Sequence, residues 1–188
     1  ITSFIDPSFD WDDVLWMKRQ THLPILLKGV QTWEDAVQAY EMGLAGVVLS
    51  NHGGRQLDFA RSGVEVLEEV MRELRKRGSF PNPAFQVMVD GGFRRGTDIL
   101  KALAMGATAV GIGRPFLYAY SAYGVDGVIH AINLLRDELE MNMRLIGARS
   151  IEELVPSMVD LSALHNHTGA VFPKQDQSVL DFMDKSRL

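Results

Sequence analysis

Two side chains that could act together on a small acid lie three residues apart in this chain. The imidazole of His52 can accept a proton, and Arg55 carries a planar guanidinium that can hold a carboxylate through two hydrogen bonds. The pair therefore suits a substrate with a removable proton close to its carboxylate. A histidine that caps a loop and an arginine in a surface ion pair would explain the same residues equally well, so both interpretations are open on the pair alone.

The pair follows a short apolar run that predicts a buried parallel strand, covered on both faces. Residues 47–49 are Val-Val-Leu, and polarity changes abruptly at Ser50. Two glycines at positions 53 and 54 then allow a tight turn. The candidate residues are therefore expected at the carboxyl end of a strand, where α/β sheets and (β/α) barrels carry their active sites.

A lysine lies in a second predicted strand, at residues 24–30. Charged side chains are rarely buried without a partner, so Lys28 requires an explanation. One interpretation is a lysine at a strand end whose ammonium reaches solvent. The other is a cation that is placed against a developing negative charge.

Two glycine-rich turns form a candidate phosphate site. Gly91 and Gly92 follow a third predicted strand at residues 86–90 and precede a helix that is predicted from Thr97. A last predicted strand ends in residues 110–115, Val-Gly-Ile-Gly-Arg-Pro. Glycines before a helix N-terminus let backbone N–H groups approach an anion, and barrels often bind phosphate at the loops after their last two strands.

Taken together, these motifs resemble the FMN-dependent L-2-hydroxy acid oxidases and dehydrogenases. The stretch SNHGGRQLD is similar to the active-site signature of that family, which includes glycolate oxidase, lactate oxidase and the flavocytochrome L-lactate dehydrogenases. The similarity continues through LPILLKGV, VDGGFRRGTDILKALAMGA, VGIGRPFLYA and LLRDELEMNMRLIGARSIEEL, and it covers residues from about 4 to 164. The segments GRPFLYA and RDELEMNMRLIG are most similar to the flavocytochrome branch.

The resemblance implies an α/β fold, namely the C-terminal half of a (β/α)8 TIM barrel with its last four strand–helix units. A complete barrel takes about 250 residues, whereas this chain has 188. We assign residues 1–164 to the half barrel and 165–188 to a C-terminal tail. We therefore expect the N-terminal half of the barrel to be a separate or cleaved chain, and the enzyme to be a homo-oligomer, a homotetramer.

The resemblance also implies the oxidation of a lactate-like or glycolate-like L-2-hydroxy acid to the 2-keto acid, with FMN as cofactor. In this interpretation His52 is the base, and Arg55 binds the substrate carboxylate with help from Arg94. Lys28 becomes the cation that stabilises the reduced flavin. The residues expected to bind FMN are Lys28, Ser50, Asp90, Gly91, Gly92, Phe93, Arg94, Gly113 and Arg114.

Two other interpretations are open: a catalytically inactive half barrel that binds FMN or a partner half, and another phosphate-binding barrel such as an isomerase. In relatives an aspartate that pairs with the histidine, and tyrosines that contact the substrate, come from the first half of the barrel. Turnover is therefore expected to need that half. The sequence leaves open which acid is oxidised, whether oxygen, a cytochrome or a quinone accepts the electrons, and whether a hydride or a carbanion is involved.

Composition and charge narrow the remaining function classes. The net charge of −5 gives no sign of a nucleic-acid surface, the absence of cysteine excludes disulfides, and no apolar run is long enough to cross a membrane. His165 and His167 lack the further ligands of a metal site, so no metal is predicted. The terminal Ser186-Arg187-Leu188 resembles a peroxisomal address and favours the peroxisome, with mitochondria or cytoplasm as alternatives.

Helical spacing predicts the elements around these motifs. Helices are expected over residues 10–21, 32–43, 63–77 and 127–147, with a short one at 150–154. Charged residues in the third helix predict a solvated face, and they are Glu68, Glu69, Arg72, Glu73, Arg75 and Lys76. Arg95 is predicted to be an ordinary surface charge.

Overall fold

Four parallel strands form a single sheet in the order β1-β2-β3-β4. The structure is a computed structural model that describes residues 8–164. The predicted tail 165–188, with His165, His167 and the terminal Ser186-Arg187-Leu188, therefore lies outside the described residues. The strands are β1 (Leu26–Val30), β2 (Gly46–Leu49), β3 (Gln86–Asp90) and β4 (Ala109–Gly111).

A helix precedes the first strand and one follows each strand, which is the alternation expected of a (β/α) unit. The helices are α1 (Trp11–Gln20), α2 (Trp33–Glu41), α3 (Gly63–Lys76), α4 (Gly96–Met105) and α5 (Arg114–Leu145). Short 3₁₀ turns lie at His52–Gly54, Ile151–Glu153 and Pro156–Met158. The second of these turns corresponds to the short helix predicted at 150–154.

Side chains at the helix N-termini explain where the helices begin. The carboxylate of Asp10 accepts hydrogen bonds from the backbone N–H groups of the first turn of α1. Thr32 caps α2, and Ser62 with Glu65 forms a reciprocal capping box on α3. Each cap satisfies backbone donors that have no partner within the helix. These three starts agree with the sequence predictions.

The hydrophobic core lies on one side of the sheet. Val47, Leu49, Val87 and Val89 of the two central strands are fully buried against the helices. The apolar side of α3 completes this layer with Val66, Leu67, Val70, Met71 and Leu74. On the opposite side, Val48 and Met88 are only half-buried. Residues 8–164 therefore cover β2 fully on one face only, and its coverage on both faces stays a prediction for the complete barrel.

The last predicted strand and the last long helix have different bounds in the structure. β4 ends at Gly111, and α5 begins at Arg114 rather than at residue 127. Pro115 suits the first helical turn because its ring fixes a helical φ and its missing N–H has no partner there anyway. The helix is interrupted at Tyr123 and Gly124, where φ is −140° and 61°. The apolar spacing after this interruption therefore identified only the second part of α5.

The predicted solvated face of α3 is wrong at two acidic positions. Glu68 and Glu69 are only 7% and 8% exposed. Glu68 pairs with Arg72 and Glu69 pairs with Arg61, each at 2.7 Å. The helix packs between α2 and α4, so these carboxylates are largely removed from water and need cationic partners.

Candidate functional site

Strands β1, β2 and β3 bring a lysine, a hydroxyl and a carboxylate together. Lys28 of β1 donates through Nζ to Ser50 Oγ at 3.0 Å, and the same Nζ lies 3.3 Å from Asp90 Oδ2 at the end of β3. Ser50 is buried, while half of the Lys28 side chain is exposed. Lys28 is therefore a partnered cation whose ammonium remains accessible at the rim of the sheet.

Asp90 has capacity for a further hydrogen bond. Its Oδ2 faces Lys28, but its Oδ1 is buried and has no hydrogen-bond partner among residues 8–164. A buried carboxylate oxygen without a donor is costly, so such an atom marks a place where a donor from outside these residues would fit.

The loop after β2 holds His52 in a left-handed backbone conformation. His52, Gly53 and Gly54 have φ values of 56°, 66° and 69°. The glycines adopt these values without a Cβ clash, but the histidine does so only under constraint. Ser50 Oγ accepts a hydrogen bond from the His52 N–H at 3.1 Å, and Asn51 Oδ1 accepts one from the Gly54 N–H at 3.1 Å. These bonds stabilise the turn that carries the predicted base.

The two glycine-rich turns lie beside this loop. Gly91 and Gly92 have φ values of 89° and 88°. A Cβ at Gly92 or at Gly113 would meet no atom within 4 Å, so both positions open onto unfilled space. Arg114 Nη2 donates to the Gly53 carbonyl at 2.7 Å, which joins the second glycine turn to the loop that carries His52.

One cavity of about 610 Å³ collects these features. Every predicted site residue except Ser50 lines it, and Ser50 lies behind Lys28 as its hydrogen-bond partner. Phe93 is 3% exposed and belongs to the hydrophobic core, although it also borders the cavity. The predicted cavity-lining residues are Lys28, His52, Arg55, Asp90, Gly91, Gly92, Phe93, Arg94, Gly113 and Arg114.

Other lining residues were not predicted as site residues. Asn51 is the most informative of these, because it lies between the predicted Ser50 and His52 and its side chain holds the turn. Its position in the motif was the available signal. Ser62, Gly111, Ile112, Pro115 and Leu117 also line the cavity, and they come from elements whose side-chain directions the sequence does not specify.

The charge of the cavity suits an anion. Lys28, Arg55, Arg94 and Arg114 contribute cations, whereas Asp90 contributes the one carboxylate among the described lining residues. Within residues 8–164, the side chains of His52, Arg55 and Arg94 make no hydrogen bond or ion pair, so their polar atoms are available to a ligand. Fixed cations beside open glycine turns are the usual means of holding phosphate and carboxylate groups.

No group of three or more His, Asp or Glu side chains between residues 8 and 164 is arranged to hold a metal ion. No helix within the same residues has the length and apolar character that crossing a membrane would require.

Comparison with known proteins places this site in a family. The model of the FMN-dependent dehydrogenases matches residues 1–161, and the chain belongs to that family. It is 58% identical over 166 residues to the L-lactate dehydrogenase (cytochrome) of Wickerhamomyces anomalus, which covers 88% of this chain and 29% of that protein. A peroxisomal (S)-2-hydroxy-acid oxidase of Oryza sativa subsp. japonica is 50% identical, covering 82% of this chain and 40% of that protein.

Solved structures lead to the same conclusion. A flavocytochrome b2 variant with sulfite bound has a TM-score of 0.82 and 53% identity, over 95% of this chain and 45% of that chain. A mandelate oxidase variant with the monooxide FMN adduct has a TM-score of 0.72 and 41% identity, over 81% of this chain and 46% of that chain. The chain thus spans less than half the length of these relatives.

These findings confirm the predicted family and the α/β half barrel, since the similar structures are TIM-barrel flavoproteins of which the chain covers under half. The family uses FMN, and the site fits this cofactor on its own geometry. The cavity volume lies within the range of about 300–1,000 Å³ that is usual for cofactor sites. The turns at Gly92 and Gly113 open onto unfilled space, and cationic side chains border them. Asp90 Oδ1 is buried and has no hydrogen-bond donor among residues 8–164. The matching family and its relatives are dehydrogenases and oxidases, so the interpretation as a catalytically inactive half barrel is not favoured, and neither is the isomerase.

Proposed function

We propose that this chain provides the cofactor-binding and substrate-binding half of an enzyme that oxidises an L-2-hydroxy acid to the 2-keto acid with FMN. One observation carries the proposal: His52 and Arg55 border the same cavity as Lys28 and the two glycine-rich turns, and both polar heads are available within the described residues. A base, an anion-binding fork and a nucleotide cradle in one cavity are the parts that this reaction needs.

Arg55 and Arg94 bind and orient the substrate in this proposal. The Arg55 guanidinium holds the substrate carboxylate through two parallel hydrogen bonds, and Arg94 supplies a second positive charge. Binding at the carboxylate fixes the carbon that carries the hydroxyl near His52. The neutral imidazole of His52 then accepts one proton from the bound hydroxy acid.

The residues that line the cavity support an assignment of the FMN-binding residues. Gly91, Gly92, Gly113 and Arg114 would hold the FMN phosphate, and Ser50, Asp90, Phe93 and Arg94 would border the rest of the cofactor. FMN, when bound, would supply the acceptor for the two electrons and for the second proton that the substrate loses. Lys28, held by Ser50 and Asp90, offsets the negative charge that accompanies reduction.

Four further strand–helix units would complete the barrel. β1 and β4 are the outer strands of the described sheet, so each has one unpaired edge, and unpaired edges need covering. Whether these units come from a separate chain or from the same one, turnover is expected only when they are present. The homotetramer and the peroxisomal location inferred from Ser186-Arg187-Leu188 stay predictions.

The test is His52→Gln in the complete, FMN-loaded enzyme, with turnover of L-lactate, glycolate and mandelate measured together with flavin absorbance. Flavin should remain bound while turnover falls by about 10²–10⁴-fold, the contribution that a general base commonly makes. His130→Gln is the matched control, because His130 is exposed on α5 outside the cavity. Near-normal turnover of the His52 variant would remove it from the role of base.

The interpretation as an inactive half barrel makes the opposite forecast for the unmodified protein. If the complete, FMN-loaded enzyme oxidises none of the three acids, the cavity binds the cofactor without turnover. The available side chains of His52, Arg55 and Arg94 argue against that interpretation, because a site used only for FMN has no need of a free base.

A further inference from the structure

The loop that carries His52 and Arg55 needs support from outside itself. His52 at its start and Phe59 near its end have φ values of 56° and 57°, which residues with a Cβ rarely adopt. Such conformations cost free energy and persist only where the surrounding structure imposes them. The hydrogen bond from the His52 N–H to Ser50 supports the first end of the loop.

The second end of the loop is fixed by the side chain of Arg61. Its Nη1 and Nη2 donate to Glu69 Oε2 and Oε1 of α3 at 2.7 and 2.9 Å, which is the forked geometry of a strong ion pair. Nη2 also donates to the carbonyl of Gln31 at 2.5 Å, just beyond β1. One guanidinium therefore connects the loop to a core helix and to the first strand.

Asn51 transmits this support to the turn that carries the base. Its Nδ2 donates to the Arg61 carbonyl at 3.2 Å, and its Oδ1 accepts a hydrogen bond from the Gly54 N–H at 3.1 Å. A continuous series of polar contacts thus runs from Glu69 through Arg61 and Asn51 to Gly54. We call this series of contacts the loop brace. His52 lies between two of its members, Asn51 and Gly54.

The brace is built to be stiff. Glu69 is 8% exposed, so its carboxylate depends on Arg61 in place of water. The pKa of the Arg61 guanidinium is raised above its usual value, mainly by the hydrogen bond to Glu69, with the charges of Glu69, Glu65 and Glu34 adding to the effect. A planar fork with a fixed carboxylate and a backbone carbonyl leaves the guanidinium little freedom to move.

We propose that Glu69, Arg61 and Asn51 are positioning residues that hold His52 and Arg55 in their productive orientation. The inference rests on the proposed function of the His52 loop and adds three residues to it. Arg61 and Glu69 do not line the cavity, so they act through the segments that they hold, chiefly the loop that carries His52 and Arg55. Removing the brace should let the imidazole and the Arg55 guanidinium shift while the cofactor residues on β1, β3 and β4 stay in place.

The main variant is Arg61→Met with Glu69→Leu in the complete, FMN-loaded enzyme. Replacing both partners by apolar residues leaves no unpaired buried charge, so folding should be retained. A displacement of about 1 Å at a catalytic group can lower a rate by about 10²-fold, and we expect kcat for L-lactate to fall by about 10–100-fold. KM should rise because Arg55 lies in the same loop, while flavin content should stay unchanged.

Hydrogen exchange gives a readout that does not depend on activity. Amide exchange in the peptide around residues 51–55 should become about tenfold faster, the factor expected when one charged hydrogen bond is lost. Arg72→Met with Glu68→Leu is the matched control, because that ion pair has the same 2.7 Å contact and a similarly buried carboxylate but lies within α3. The control should leave both kcat and loop exchange close to the unmodified values.

A double-mutant cycle tests whether the brace works as one unit. Asn51→Asp keeps the acceptor for Gly54 but removes the donor to Arg61. If the contacts act in series, adding Arg61→Met to Asn51→Asp should lower kcat no further than the stronger single variant does. Arg61→Lys keeps the positive charge but lacks the forked guanidinium. Its kcat should therefore lie between those of Arg61→Met and the unmodified enzyme.

The proposal is overturned if the paired Arg61 and Glu69 variant matches the control in loop exchange and in kcat. Should that variant fail to fold, unchanged exchange in both Asn51→Asp and Arg61→Lys would overturn it equally. An unmodified enzyme without turnover would refute the proposed function instead. The exchange comparison would still decide whether the brace holds the loop.

Discussion

At the scale of single residues, the contact between Lys28 and Asp90 controls the charge beside the cavity. Lys28 is fixed by Asp90 at 3.3 Å and by Ser50 at 3.0 Å, so its ammonium is already in place for the negative charge that the proposed reaction would develop. A preorganised cation stabilises such charge without reorganisation at the moment of reaction. The sequence predicted all three residues but not their contact, because only the parallel register brings the ends of β1, β2 and β3 together.

Replacing Lys28 by Met tests this role. We expect the reduction potential of the bound flavin to become more negative, since the cation that favours the reduced form is lost, and kcat for L-lactate to fall about 10²-fold. The measurements are a redox titration of the bound flavin and steady-state kinetics. Lys101→Met is the control, because Lys101 is an exposed lysine on α4. An unchanged potential in the Lys28 variant would contradict the role.

The loop brace illustrates what a one-dimensional pattern cannot reveal. The motif around His52 and Arg55 predicted a candidate base and a candidate anion-binding residue, because local spacing is enough to recognise a turn after a strand. Alternating charges along α3 suggested a solvated face, yet Glu69 is buried against Arg61 of the preceding loop. The same pattern of charged residues is compatible with a solvent-exposed helix face and with a buried ion pair. Which of the two forms depends on the elements that pack on α3.

At the scale of elements, α4 and α5 are clamped together next to the first glycine turn. Arg95 was predicted to be an ordinary surface charge, but its Nε donates to both oxygens of Glu138 on α5, at 2.8 and 3.1 Å. The Gly96 N–H donates to the same carboxylate at 2.7 Å, at the N-terminus of α4. Gly96 also has no room for a side chain, since a Cβ would lie 2.5 Å from the Leu139 nitrogen.

This clamp predicts a pH-dependent contribution to stability. The pKa of Glu138 lies below its usual value because the Arg95 guanidinium and the Gly96 N–H bind the ionised form. A lowered folded-state pKa means that the contribution is present above the unfolded value, about 4.5, and is lost as pH falls through the folded value. Glu138→Gln should therefore lower Tm at pH 7, and the difference should shrink below about pH 4.5.

Thermal melts of the complete enzyme across this pH range provide the measurement. Glu140→Gln is the matched control, because Glu140 lies on the same helix and, among residues 8–164, pairs with Arg136 and Arg144, one turn away on either side. Exposed pairs of this kind contribute little. A Tm difference for Glu138→Gln that is constant with pH would show that the charge on the carboxylate is not what matters.

At the scale of the whole molecule, the described sheet has one covered face and one open face. The buried layer lies against the helices, whereas the opposite face carries Lys28, Val48 and Met88, which are half-buried or exposed. The strand–helix units were predictable because each has its own local pattern, whereas the half barrel was implied by the family resemblance. The bounds of α5 were not predictable in the same way, because Gly124 divides its apolar spacing.

The open face leads to a prediction about completion of the barrel. In a closed barrel this face becomes the interior. Packed side chains fill that interior, and an unpaired charge there would be unfavourable. Leu26 is on the same face as Lys28, two residues before it, and is partly exposed in the described residues. Leu26→Asp should therefore weaken assembly with the other four strand–helix units, measured as binding of the two separately expressed halves.

Lys101→Asp introduces the same side chain on α4, between α3 and α5 and away from the sheet edges, and it should assemble normally. Equal assembly of both variants would mean that this face does not meet the other half.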